Sequence, residues 1–197
     1  MPLVDRSIHP ADEYPDGQWD YYRDYTTHFD DAVADLDAHP AASLASVYRS
    51  GGPVAVGAVA PTATVTRSGG RFGAAHRAPS TPADPALWPP ANFETLARSF
   101  AAKGFRGPCA WYLNDDVNVA YARRAPAAGR LSQPMLFVNG EWDPICTITG
   151  NWQGDPMRAA CADLTTTHLP AGHWLPLECK VELAEAIRAW LPRVGPT

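Results

Sequence analysis

The segment Pro134–Gly140, PMLFVNG, sets the tightest limit on what this chain can become. It is a short continuous apolar run, which suits a strand covered on both faces and therefore a parallel sheet. The residues after it agree with that expectation. Asp155 and Pro156 supply an N-cap and a first helical position for a helix through Cys161, and TTTHLP (165–170) reads as a second strand. Val181, Ala184, Ile187 and Leu191 lie on one stripe of a final amphipathic helix over 178–191. Strand alternating with helix predicts an α/β class with parallel pairing through a right-handed crossover. Two such strands leave an apolar edge and both faces bare, so packing alone predicts that further material, such as a partner chain, covers them.

Before Gly129 the composition changes character, with helices and proline-rich loops and hardly a strand. Phe29, Val33 and Leu36 at helical spacing predict an amphipathic helix within 17–39, and Pro40 opens a shorter one that Gly51-Gly52 closes. Residues 51–90 are rich in Gly, Pro, Ser and Thr and read as a long excursion, with a small hairpin expected around Gly69-Gly70. A loop of that length is often functional. Asn92 can cap a helix running to Lys103 before Gly104, and a further helix is expected over Tyr112–Arg124. Asp115-Asp116 then suit a helix N-terminus. The division predicted is 1–128 as a mainly helical region and 129–197 as α/β core.

Composition narrows the function. Hydrophobic residues at 46% and charged residues at 19% predict a packed core rather than disorder. A net charge of −5, with no Lys/Arg block, argues against nucleic acid as a partner. No apolar run reaches membrane-spanning length and MPLVDRSIHPADEYP has no signal-type apolar core, so a cytoplasmic protein is expected. Cys109, Cys146, Cys161 and Cys179 form no C-x-x-C pair and read as free thiols rather than a disulfide framework or zinc site. No cofactor or metal is expected; His168 and His173 lack the further ligands a metal pair would need nearby.

Two short segments carry chemistry: VNGEWDP (138–144) and AGHW (171–174), each just beyond an expected strand. That edge of an open α/β sheet is where catalytic groups gather. Asp143 followed thirty residues later by His173 fits an acid-then-histidine order. A neutral imidazole can take a proton from water, and the carboxylate fixes its tautomer and stabilises the imidazolium. A turn aspartate and a surface histidine would be the plain alternative.

PMLFVNGEWD, AGHW and the terminal AIRAWLP resemble the last third of epoxide hydrolases of the α/β-hydrolase fold. GFRGPCAWYLN (104–114) is similar to their cap segment carrying a Trp-Tyr pair. The resemblance spans roughly residues 12–192 and is loose through 51–90. It implies a partial α/β-hydrolase fold, with 1–128 a helical cap or lid and 129–197 the C-terminal part of the core. It further implies His173 as base, Asp143 as the acid orienting it, and Tyr112 with Tyr21 as donors to the epoxide oxygen. Tyr21, four residues before Tyr25, fits the family spacing better than Tyr22. Trp111, Trp142, Trp174 and Tyr22 would line a pocket for a small apolar epoxide, opened with water to a diol.

One departure is large. The family reaction passes through an ester on an Asp that follows a strand and sits before the cap, and no G-x-S-x-G or Gly-x-Asp-x-Gly turn occurs in this chain. Two rivals therefore stand beside an active epoxide hydrolase. One is an esterase or dehalogenase of the same fold. The other is a non-catalytic truncated or split hydrolase, completed as a homo-oligomer or by a chain supplying the N-terminal core.

Overall fold

The computed structural model describes residues 3–195. They divide into two compact units, residues 3–50 with 57–114 and residues 51–56 with 115–195.

The first unit is helical. The stretch expected as one amphipathic helix is broken: a 3-10 turn at Gly17–Trp19 leads into α1 (Asp20–Thr27), and α2 (Phe29–Asp37) starts afresh. His28 between them has φ −128° and ψ 43°, outside the helical region, so the periodicity carries across the break while the hydrogen-bond ladder does not. Pro40 opens α3 (Pro40–Val47), which ends at Tyr48 rather than at the Gly51-Gly52 pair. Residues 51–90 contain 3-10 turns at Pro53–Ala55, Pro61–Thr64 and Gly73–Ala75 instead of the expected hairpin. Gly69 and Gly70 both have positive φ, but no strand flanks them.

The helix expected to be capped by Asn92 begins three residues earlier, as α4 (Pro90–Lys103) with Pro89 in the cap position, because Pro90 already holds the φ of a first helical residue. Gly104 at φ 71° ends it. A Cβ there would lie 3.0 Å from the Asp37 carboxylate, which accepts the Phe105 N–H at 2.8 Å. This anchored turn starts α5 (Arg106–Ala110), followed by a 3-10 turn at Trp111–Leu113 that carries Tyr112. The core of the unit is Tyr25, Ala32, Val33, Leu36, Leu44, Phe105 and Cys109, with Tyr21, Phe100 and Tyr112 packed on it.

The second unit holds α6 (Asp115–Ala122), which starts at the acidic pair expected to open a helix. Then come β1 (Leu131–Gly140), α7 (Asp155–Ala160) and β2 (Cys161–Leu169). Gly154, not Asp155, is the N-cap of α7. The strands pair in parallel, with Leu136 opposite Thr165 and Gly140 opposite Leu169, and both run longer than the sequence suggested. Among the described residues the sheet has these two strands only. The terminal helix is broken at Cys179 into α8 (Leu175–Glu178) and α9 (Lys180–Trp190), and α9 packs on both strands. Leu169, Ala171, Leu175 and Cys179 form the buried cluster beside the strand ends, with Val138 and Leu183 against it. All four cysteines are free. No described helix is long and apolar enough to cross a membrane.

Candidate active site

The strands end together and their loops stay joined. Beyond the last ladder pair, Glu141 N–H donates to Leu169 O at 3.0 Å and Trp142 N–H to Ala171 O at 2.9 Å. The loops approach so closely that a Cβ on Gly140 would sit 2.7 Å from the Gly172 carbonyl oxygen. One on Gly172 would meet the Gly51 Cα at 2.6 Å. Glycine is required at this crossing for space.

Asp143 and His173 emerge from the two joined loops. The Asp143 carboxylate is buried; Oδ1 accepts the Ile145 N–H at 2.8 Å, and Oδ2 lies 3.0 Å from His173 Nδ1. The imidazole side chain remains 43% exposed. Burial pushes the Asp143 carboxyl up, but the His173 hydrogen bond and charge, with the Ile145 and Cys146 N–H groups, outweigh it and hold the group below its ordinary value. The Asp143 hydrogen bond raises His173 above its ordinary value; burial opposes this, and the charges of Asp143 and Glu178 add to it. Asp143 is therefore ionised at neutral pH and accepts from Nδ1–H, leaving Nε2 of the neutral ring as the basic nitrogen.

Two further groups complete the neighbourhood, and neither was legible as such in the sequence. Glu178, at the end of α8, accepts the N–H of Gly172 and of Trp174 on either side of His173, at 2.9 and 3.1 Å, and the Gly51 N–H at 2.9 Å. The spacing GHWLPLE was the available signal, since a carboxylate one helical turn after a loop can fold back onto the loop amides. Cys146, three residues after Asp143, brings its sulfur within 4.8 Å of ligand atoms of both Asp143 and His173. The residue as a whole is exposed, yet desolvation of the sulfur and the Asp143 charge push its thiol up to about 12. The protonated thiol is therefore the favoured form at neutral pH. Buried Asn139 fixes the loop after β1 from behind, its Oδ1 accepting the Ile148 N–H at 2.9 Å and its Nδ2 reaching Thr149 at 2.9 Å and His168 at 3.2 Å.

The aromatic residues expected at the site divide between the two units. Within the first unit, Tyr112 is the hub of a ring cluster, with centroids 5.6 Å from Tyr21, 5.1 Å from Tyr22 and 4.8 Å from Tyr25. Both Tyr21 and Tyr22 thus touch Tyr112. Tyr25 is buried, and burial raises its phenol above the ordinary value against the opposing Arg71 charge. Trp111 is 79% exposed. In the second unit, Trp174 stacks edge-on against His173 with centroids 5.2 Å apart, and Trp142 is half-buried in the joined loops.

Among solved structures, the chain is similar to Epoxide Hydrolase A from Mycobacterium thermoresistibile, with a TM-score of 0.65 and 21% sequence identity. The match covers 90% of this chain and 53% of that one, so this chain spans about half the length of the solved structure it resembles. At this identity the likeness is one of fold. No family model and no curated protein matches the chain.

Proposed function

We propose that the chain is a hydrolase of epoxide-hydrolase type, with 1–128 acting as cap and 129–197 as core. The observation that carries the reading is the Asp143–His173 bond at the ends of two adjacent parallel strands. Its fold-level support is the likeness to an epoxide hydrolase. In this reading an Asp carboxylate attacks an epoxide carbon as the C–O bond breaks and forms an ester; this chain has no matching turn for that Asp, which a second chain would have to supply. His173 Nε2 then takes a proton from the water that hydrolyses the ester, and Asp143 stabilises the imidazolium that results. Tyr112 and Tyr21 donate hydrogen bonds to the epoxide oxygen as negative charge develops on it. A small apolar epoxide and water are the substrates, with Trp174 offering apolar surface against the base and Trp142 a further wall in the joined loops. Esterase or dehalogenase chemistry does not call for paired phenols, so the Tyr112 cluster favours the epoxide.

The test is diol formation by the purified 197-residue chain across a panel of epoxides, with His173→Ala as control. Turnover that disappears in the control supports the reading. A folded chain that forms no diol sinks it as an account of this chain acting alone. A second reading, a hydrolase chain completed by a second copy or another protein, is favoured by the two-stranded sheet whose outer edges pair with no other described strand. Native mass measurement separates the two: a clean monomer with a sharp thermal transition counts against a required partner.

A further inference from the structure

The loop after β1 and the loop after β2 bring three different ligating side chains together. Donor atoms of Asp143, Cys146 and His173 all lie within 4.8 Å of one another, and no other trio among the described residues does so. Local structure explains the placement. Ile145 N–H bonds the Asp143 carboxylate and Thr147 N–H bonds the Asp143 carbonyl, so the chain turns back at 143–147 and Cys146 faces the carboxylate it follows.

The distances suit a small, thiophilic ion. Nitrogen and oxygen ligands at about 2.0–2.2 Å from a tetrahedral centre stand about 3.3 Å from each other, and a sulfur at about 2.3 Å stands about 3.6 Å from them. Asp143 and His173 are already 3.0 Å apart. They need a few tenths of an ångström of expansion, while the thiol, on an exposed residue, closes by about 1.2 Å at most. One sulfur, one imidazole and one carboxylate select zinc-like ions over magnesium or calcium, which take oxygen ligands. With three protein ligands and a solvent-exposed imidazole edge, the fourth position is left to water.

We propose that Asp143, Cys146 and His173 form a binding site for a thiophilic divalent cation of the zinc type. On binding, the Cys146 S–H bond breaks, its proton goes to solvent and its electron pair goes to the metal. The ring proton passes through solvent from Nδ1 to Nε2, so that Nδ1 gives its lone pair to the ion, and Asp143 gives it a carboxylate oxygen in place of the hydrogen bond. An imidazole lone pair held by the ion is not open to a proton, so bound metal and base action by His173 exclude one another. That consequence rests on the hydrolase reading. The site itself does not, and a metal titration distinguishes the failure of one from the failure of the other.

The experiment adds Co²⁺ to the reduced, chelator-stripped 197-residue chain and follows the thiolate-to-cobalt charge-transfer band, with Zn²⁺ as competitor. The expected result is a band that saturates at one ion per chain and is displaced by Zn²⁺. It is absent in Cys146→Ser with unchanged far-ultraviolet circular dichroism, and Asp143→Asn weakens binding at least about tenfold. No charge-transfer band at saturating Co²⁺ overturns the proposal. An undiminished band in Cys146→Ser also overturns it, since another thiol would then be the ligand.

Discussion

Replacing Glu178 by glutamine asks what holds His173 in place. One carboxylate oxygen accepts the N–H of both Gly51 and Gly172, and the other accepts the N–H of Trp174. A glutamine of the same shape keeps one carbonyl oxygen and replaces the other with an NH₂ group. Either the Trp174 N–H or the Gly51 and Gly172 pair must then face a donor. The surviving bonds drop from charge-assisted to neutral, about half as strong. A hydrogen bond to a charged group contributes about 1.5–3 kcal/mol, discounted here because Glu178 is half-buried and water can reach the freed amides. The expected loss is about 2–3 kcal/mol. For a chain of this size each kcal/mol moves the thermal midpoint by about 2–4 °C, so the midpoint should fall by roughly 4–12 °C. Urea denaturation gives the free energy, and amide hydrogen exchange at Gly51, Gly172 and Trp174 gives the location. The His173 titration followed by NMR should also move down, because the Glu178 charge helps to raise it. A variant within about 0.5 kcal/mol of the parent, with the three amides exchanging as before, would refute the clamp.

Three further outcomes are expected. Gly172→Ala puts a Cβ 2.6 Å from the Gly51 Cα, backbone that cannot rotate aside, and should cost about 2–3 kcal/mol in denaturant melts. An unchanged midpoint would mean that the crossing is looser than the distances say. Asp143→Asn removes the group that raises His173, so the ring should titrate lower in the variant by NMR. The raised His173 contributes stability that is full below its unfolded pKa and lost as pH rises through its folded pKa. The depressed Asp143 contributes stability present above its unfolded pKa and lost as pH falls through its folded pKa. In the first unit, Asp84 is held below its ordinary value by the Ser50 hydroxyl and N–H, which it accepts at 2.6 and 3.0 Å. Asp84→Asn should therefore cost about 1–2 kcal/mol at neutral pH, and the gap from the parent should close as pH falls through the folded pKa of Asp84. A constant gap across that range would show that the charge is not what stabilises the turn.

How much could be read from the sequence depends on how far apart the interacting residues lie. The apolar run at 134–140 became a strand and the stripe at 181–191 became most of a helix, because periodicity reads local backbone form. The burial expected of them did not follow, since the strand is largely half-buried and Val181, Ile187 and Leu191 are exposed. The long helix expected over 17–39 failed at His28 because apolar periodicity reports the local form, not whether the backbone ladder is continuous. The hairpin at Gly69-Gly70 failed for a related reason. Glycine permits a turn, but strands need partners, and the flanking residues instead bond across to α1, the Thr66 N–H donating to Asp20.

The pairing of Asp143 with His173 was legible because parallel strands carry their ends to one edge, and the register Gly140 opposite Leu169 fixes how far past that edge each residue lies. The Gly51 amide on Glu178 joins residues 127 positions apart, and no local pattern encodes such a contact. Nor does the sequence say that Gly140, Gly172 and Gly51 must all lack a side chain at one crossing, since each glycine alone reads as a turn. These contacts turn two strand ends into a site of fixed geometry. Their chemistry is ordinary, a carboxylate on three amides and three missing methyl groups, and a change at any one of them should displace His173 without touching it.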